Sequence, residues 1–350
     1  MSVRTRIVLA LSAALLLAVG GTGAWIIFGP NTPDYAEARS VTIPEDASFD
    51  SVADSLVDRG ILASRSTFVL LGRATGWGRQ VKSGHYTFES GASNYDLLDA
   101  LRRGLQTPIR LTIPPGTRPE VVAAVLARDM AFDAAEMEAA LRDTALAAEL
   151  ETDTTHLFGY MLPETYFHYW GTSPETVVRR AKQEFDRFYG NLAPRADSID
   201  LTKPEVVALA AIVEWEAYFN REKPRIAGVY LNRLDIGMPL QADPTIQYAV
   251  MQREGAKRRL LYEDYDLDHP YNTYNYRGLP PGPITNPSKS SLRAVVNAEN
   301  HNYLYFVANG EGGHTFSRTH REHVNAANEY RELMRERRRE QRQQDASGGR

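Results

Sequence analysis

The chain has 350 residues, 43% hydrophobic and 24% charged, which is enough apolar content to bury a sizeable core and excludes a disordered, collagen-like or coiled-coil protein. It has no cysteine, so a disulfide framework, a Cys-ligated zinc site and a thiol nucleophile are excluded. The net charge of -4 places +2 on residues 1–30 and +3 on the last twenty residues, leaving -9 on the body between them, which offers no footprint for nucleic acid.

Ile7 to Phe28 is a run of 22 residues without a charge. At about 1.5 Å per residue it spans roughly 33 Å, enough to cross a bilayer core with some tilt. Arg4 and Arg6 precede it and Asp34 and Glu37 follow it, so the positive-inside bias puts the N-terminus in the cytoplasm and the body outside. A cleaved signal peptide is the alternative, and it leaves the body on the same side. The expected organisation is a cytoplasmic N-terminus at 1–6, a transmembrane helix at 7–28 and a linker at 29–40.

Beyond the linker a strand–turn–helix pattern recurs. Val41-Thr-Ile-Pro44 precedes Val52, Ala53 and Leu56, and Leu111-Thr-Ile-Pro114 precedes Val122, Ala123 and Leu126. A looser copy runs from His85-Tyr-Thr-Phe88 to Leu97, Leu98 and Leu101. Such small units hide their apolar faces only by packing together, so 41–108 is expected to be one α+β module. Pro119 to Leu150 is Ala-rich and reads as helix, Thr176 to Tyr189 reads as an amphipathic helix, and an aromatic-rich strand or loop lies between them. The segment 331–350, a run of Arg, Glu and Gln, is expected to fray into a disordered tail.

The helix that begins at Lys203 carries a capping-box signature, Thr202 with Glu205, and Val206 to Val213 is apolar on every face. Glu214, Trp215 and Glu216 follow at once. A carboxyl beside an indole at the end of a buried helix is placed to keep its proton near neutral pH, as a general acid for glycoside cleavage requires. Two residues along a helix is about 200° of rotation, so Glu214 and Glu216 are not expected to face one substrate, and periodicity does not choose between them. Asn232 and Arg233 lie on the next apolar helix; Gln241, Asp243 and Thr245 are expected in a turn. Tyr271, Asn272 and Tyr274 precede a proline-stiffened loop, Gly278-Leu-Pro-Pro-Gly-Pro-Ile-Thr-Asn-Pro287. Amides, hydroxyls and tyrosine rings in such density suit a sugar-binding groove. His320-Arg-Glu-His323 has no third ligand and is not a zinc pattern, and no phosphate loop or serine elbow occurs, so no metal or cofactor is expected.

Several segments taken together are specific. Leu209-Ala-Ala-Ile-Val-Glu-Trp-Glu216, the stretch from Val229 through Asn232-Arg233 and Gln241-Ala-Asp-Pro-Thr-Ile246, Tyr271-Asn-Thr-Tyr274, Gly278-Leu-Pro-Pro-Gly-Pro-Ile284, Tyr303-Leu-Tyr-Phe-Val307 and Gly312-Gly-His-Thr-Phe316 occur in order. With Ser83-Gly-His-Tyr86 and Thr112-Ile-Pro-Pro-Gly116 upstream, the chain from about 41 to 330 closely resembles the endolytic murein transglycosylase (MltG, YceG-like) family. The resemblance implies an α+β fold with a LysM-like module at 41–108 and a YceG-like catalytic domain at 109–330. It also implies a bacterial inner-membrane enzyme with its body in the periplasm, acting on peptidoglycan glycan strands beside peptidoglycan synthases. Glu214 matches the family's catalytic glutamate, and Glu216 a supporting position. Asn232, Arg233, Gln241, Asp243, Thr245, Tyr271, Asn272 and Tyr274 are expected to bind substrate. Phe158, Pro115 and Ala298 depart from the family pattern; Phe158 is expected to alter the cleft wall. A non-catalytic wall-binding scaffold and a hydrolytic muramidase are the competing functions.

Overall fold

The computed structural model describes residues 2–348 of the chain. It mixes helices with short strands. Helix α1 (Val3–Phe28) is apolar on all faces, exposed along almost its whole length, and long and apolar enough to cross a membrane. The chain after it divides into two compact units.

The first unit comprises residues 1–111 with 129–131 and 167–172. Strand β1 (Arg39–Ile43), helices α2 (Phe49–Asp58) and α3 (Arg65–Ala74), strand β2 (Gly84–Phe88) and helix α4 (Asn94–Arg103) follow one another. The two strands pair antiparallel, with Val41 opposite Tyr86. Their inward residues Val41, Ile43, Tyr86 and Phe88 meet Val52, Leu56, Phe68, Leu97, Leu98 and Leu101 from the helices, so alternation on the strands and three–four spacing on the helices close a single core. Gly104 ends α4 in the left-handed conformation, which a residue without Cβ adopts without steric cost.

Strand β3 (Ile109–Thr112) pairs with β4 (Thr165–His168). The Ala-rich stretch forms α5 (Pro119–Ala127), α6 (Ala134–Leu141) and α7 (Thr144–Glu149). Next come α8 (Pro174–Gly190), the short α9 (Ala193–Ala196), α10 (Lys203–Glu216), α11 (Lys223–Asp235), α12 (Asp243–Glu254), α13 (Lys289–Val296), the antiparallel ribbon of β5 (Tyr305–Ala308) and β6 (His314–Ser317), and α14 (His320–Gly348).

Helix α10 is the axis of the second unit. Its start is held as the sequence pattern predicts: the Glu205 carboxylate accepts from the Thr202 N–H at 2.8 Å and the Thr202 hydroxyl at 2.6 Å. Val206 to Val213 are all buried, against residues from α8, α11, α12 and α13. A helix apolar on every face is stable in water only when enclosed this way.

One expectation changes. Asp243 and Thr245 belong to the first turn of α12 rather than to a turn, because Pro244 suits the first positions of a helix and the Thr245 hydroxyl bonds the Ala242 carbonyl at 2.7 Å. After residue 330 the charged run forms helix as far as Gly348. Glu332 with Arg335 and Glu336 with Arg339 have the three-residue spacing that places opposite charges side by side on a helix. Residues 349 and 350 lie outside the described residues.

Candidate active site

Where the apolar run of α10 ends, its last turn opens into a cleft of about 1460 Å³ lined by Glu214, Trp215, Glu216 and Tyr218, the Pro115–Arg118 segment, Asp243 and Gln247 of α12, and the segment from Lys257 to Tyr265. All of these residues belong to the second unit.

Glu214 is gripped by one oxygen. Its Oε2 accepts from the Ser288 N–H at 3.0 Å, the Ser288 hydroxyl at 2.6 Å, the Ser291 hydroxyl at 2.6 Å and the Lys223 ammonium at 3.2 Å. Ser288 caps α13, so the carboxylate sits at the electropositive start of that helix. Lys223 begins α11 and is held in turn by Ser288 at 3.3 Å and Ser290 at 3.0 Å. With side-chain exposures of 11% for Glu214 and 4% for Lys223, this is a nearly buried, fully hydrogen-bonded ion pair. Burial alone would push the Glu214 carboxyl up; the hydrogen bonds from Ser288 and Ser291 and the Lys223 charge outweigh it and leave the group below its ordinary value. All four donors converge on Oε2, so Oε1 is the atom left to meet a substrate.

Trp215 ties this turn to the opposite wall. Its indole N–H donates to the Gly116 carbonyl at 2.8 Å. Gly116 has φ +65°, and a Cβ placed there would lie 3.5 Å from Glu214 Cγ and 3.5 Å from the indole nitrogen. The buried Asn286 amide holds the same wall: it donates to the carbonyls of Pro114 at 3.0 Å and Met161 at 3.2 Å, and accepts from the Thr117 N–H at 3.1 Å. Most of the proline-stiffened loop from Pro280 to Pro287 is buried, so that loop braces the site rather than forming a sugar groove.

Glu216 is the opposite case. Its Oε1 accepts from the buried Tyr230 hydroxyl at 2.9 Å, and Asp243 stands near it. Burial pushes its carboxyl up to about 7; the Tyr230 hydrogen bond opposes this and the Asp243 charge adds to it. The two glutamates lie on opposite flanks of this turn, and both line the cleft. Glu216 is the last residue of α10, where the helix end itself projects into the cleft and both flanks reach its wall. Burial thus favours the neutral form at Glu216, whereas at Glu214 the Ser288 and Ser291 donors at the start of α13 and the Lys223 ammonium of α11 favour the charged form.

Of the other residues expected to bind substrate, Asp243 lines the cleft. The remainder stand behind or beside it. Asn232 donates to the carbonyls of His301 at 2.7 Å and Tyr303 at 3.0 Å. Arg233 is buried, donating to the carbonyls of Leu304 at 2.7 Å and Leu240. Thr245 is buried and bonds Thr273 at 2.9 Å. Gln241 is exposed at φ +49°, its N–H on the Thr273 carbonyl. Tyr271 packs on Tyr248, and Asn272 holds the carbonyls of Tyr265 and Leu267 at 3.0 and 2.8 Å. Tyr274 reaches the site through its hydroxyl, which donates to Asp243 Oδ1 at 2.6 Å. In Asn232, Arg233 and Asn272 the side-chain donors satisfy backbone carbonyls. Phe158 is buried and does not form part of the cleft wall, whereas Pro115 does.

Sequence reasoning missed Lys223, Ser288 and Ser291. The cap signal was present, since Pro287-Ser288 precedes the apolar Leu292 and Val295, but nothing local links α13 to a carboxylate 74 residues earlier.

The chain is similar to known proteins of one family. The profile of the YceG-like family matches residues 41–329. The chain is 28% identical over 317 residues to the endolytic murein transglycosylase of Bacillus subtilis (strain 168), covering 86% of this chain and 87% of that protein. It is 27% identical over 361 residues to the endolytic murein transglycosylase of Streptococcus pneumoniae serotype 2 (strain D39 / NCTC 7466), covering 89% of this chain but only 64% of that longer protein. A solved YceG-like protein of Listeria monocytogenes superposes with a TM-score of 0.58 at 27% identity, covering 83% of this chain and 99% of that one. A profile match over most of the chain, with a solved relative of the same fold, shows that the chain belongs to the YceG-like family.

Proposed function

We propose that this protein is an endolytic peptidoglycan lytic transglycosylase with Glu214 as its catalytic residue. The observation that carries the reading is the grip on Glu214: four donors fix Oε2 and leave Oε1 to the cleft. In its acid form Glu214 gives its proton to the oxygen linking N-acetylmuramic acid C1 to N-acetylglucosamine, and the C1–O bond breaks. The muramyl C6 hydroxyl then attacks C1, its proton returns to the Glu214 carboxylate, and a 1,6-anhydro ring closes. The nucleophile is part of the substrate, so effective molarity replaces an activated water and one carboxyl serves both steps. The exposed rings of Tyr218 (82%) and Tyr262 (97%) on the cleft rim suit the apolar faces of pyranose rings. The hydrogen bonds and the Lys223 charge favour the ionised form of Glu214, so kcat/KM rises as pH falls toward the pKa of that carboxyl.

A second reading makes Glu216 the proton donor, favoured by its carboxyl retaining a proton up to about 7. Further parts of the proposal are a LysM-like wall-binding first unit, α1 as a membrane anchor with a cytoplasmic N-terminus, a periplasmic body, and contact with peptidoglycan synthases. The charge asymmetry across α1 supports the anchor and its orientation, the recurrent strand–helix pattern supports the wall-binding first unit, and the synthase contact rests on the family resemblance alone.

Digestion of purified peptidoglycan with the wild type and the Glu214→Gln and Glu216→Gln variants, read by mass spectrometry of the released ends, tests the proposal. Internal 1,6-anhydro ends from the wild type, lost in Glu214→Gln and retained in Glu216→Gln, are expected. Reducing ends would make the enzyme a hydrolase; loss only in Glu216→Gln would move the acid role there. Binding without cleavage would make the protein a scaffold.

A further inference from the structure

We propose that the face of the first unit around the exit of α1 is a bilayer-docking surface, with Phe28, Leu70, Trp77 and Tyr95 lying in the interfacial layer of a phospholipid membrane. The inference rests on reading α1 as a membrane anchor. It goes beyond that reading by seating the first unit on the lipid instead of hanging it from a tether.

The first observation is the joint between helix and unit. Ile27, in the last turn of α1, packs against the core of the first unit. The buried Asn94 amide at the start of α4 donates to the Ile26 carbonyl at 2.8 Å and to the Thr67 hydroxyl of α3 at 3.2 Å. Asn31 is buried beside it. Its side chain donates to Asn94 Oδ1 at 2.6 Å and to the Ser64 carbonyl at 3.0 Å, and accepts from the Ser64 N–H at 2.7 Å. Its backbone donates to the Ala92 carbonyl at 2.8 Å and accepts from the Ala63 N–H at 2.8 Å, and the buried Thr32 hydroxyl takes the Ala92 N–H at 2.9 Å. Gly29 between them is buried too. From Ile26 to Thr32 the chain is fastened to the unit, so no flexible spacer follows the helix.

Lengths then decide where the unit lies. At about 1.5 Å per residue, Ile7 to Phe28 uses up a hydrocarbon core of roughly 30 Å, and the polar layer beyond it is only about 5–8 Å deep. The second observation is what the unit presents at that depth. Phe28 is 66% exposed; its ring stands 5.7 Å from Tyr95, which stands 5.5 Å from Trp77. Leu70 is 59% exposed and lies three residues on from Thr67, on the face of α3 next to the joint. The Arg102 guanidinium covers the Trp77 ring at 4.1 Å. The two carboxylates of this part of α4 are engaged, Asp96 by the Ser93 cap and Asp99 by Arg102 and Arg103. Aromatic rings beneath an arginine, beside an apolar helix, match the composition of a membrane–water interface.

The chain has no cysteine, so single sites can be labelled without removing others. The test places a nitroxide on Leu16→Cys, Leu70→Cys or Tyr95→Cys in the full chain, held in nanodiscs of phosphatidylethanolamine and phosphatidylglycerol. Collision of each label with oxygen, which concentrates in lipid, is compared with collision with a nickel chelate, which stays in water. An unshifted thermal midpoint checks each variant. All three labels are expected to favour oxygen, Leu16 most strongly, with Leu70 and Tyr95 shallower; either of these two sites reads the face if the other is perturbed by its label. Nickel preference at both Leu70 and Tyr95 while Leu16 favours oxygen overturns the docking face and leaves the anchor standing. Shielding of both from both reagents means that protein covers the face, which also overturns it. Nickel preference at Leu16 overturns the anchor reading and the docking face with it.

Discussion

The two flanks of the last turn of α10 treat the same functional group in opposite ways. On one flank Glu214 meets a lysine, a helix start and two serine hydroxyls, and its charge is stabilised despite near burial. On the other, Glu216 accepts a hydrogen bond from Tyr230 and has the Asp243 carboxylate close by, and burial disfavours its charge. Burial is common to both; the number and sign of the groups brought in from other helices decide the protonation state. A protein can therefore set one carboxyl to give and retrieve a proton and keep its neighbour neutral without separating them along the chain.

The largest expected effect is on chemistry. Glu214→Gln keeps the shape of the side chain and removes the transferable proton, so release of anhydro ends should drop by about 10²–10⁴-fold with the fold retained. A smaller drop would break the assignment of the two flanks. Glu216→Gln comes next and acts on stability. The folded carboxyl at about 7 lies above its ordinary value of 4.5, so the unfolded chain loses the proton first and stability falls as pH rises from 4.5 to about 7, then levels. Replacing it by Gln should stabilise the protein by about 1–3 kcal/mol at pH 8 and leave it nearly unchanged at pH 4, in denaturant titrations at the two values. No gain at pH 8 would mean that Glu216 is not held neutral.

Lys223→Met sharpens the comparison from the other flank. Without the ammonium the Glu214 carboxyl should rise, moving the alkaline fall of kcat/KM to higher pH, which a pH–rate profile reads directly. The sign for stability is the reverse of that for Glu216. Glu214 sits below its ordinary value when folded, so it contributes above pH 4.5 and the contribution is lost as pH falls through the folded value; Glu214→Gln should flatten that acid loss. The smallest effect is at the wall. Gly116→Ala puts a side chain at φ +65° and a methyl in contact with Glu214 and Trp215, and should cost about 1–2 kcal/mol in thermal or denaturant unfolding.

Much of the scaffold was readable before any coordinates. The apolar run of α10, its Thr202–Glu205 cap and the exposed apolar α1 follow from local periodicity, because a helix with no polar face must be enclosed by protein or by lipid. Residue chemistry alone did not reveal that Asn232, Arg233 and Asn272 hold backbone carbonyls and that Thr245 bonds Thr273. A side chain able to bind a sugar is equally able to satisfy a peptide group, and local sequence does not separate the two. At the other extreme, Ser288 and Ser291 looked like an ordinary helix start and hold Glu214.

By itself the sequence determined that a buried helix would deliver two carboxyls and an indole at its end, because hydrophobic periodicity and capping are properties of neighbouring residues. Which carboxyl would be charged was decided only by the tertiary structure. Hydrogen bonds and Coulombic contacts act over a few ångströms of space, and the groups that supply them to Glu214 come from 9 to 77 residues away along the chain.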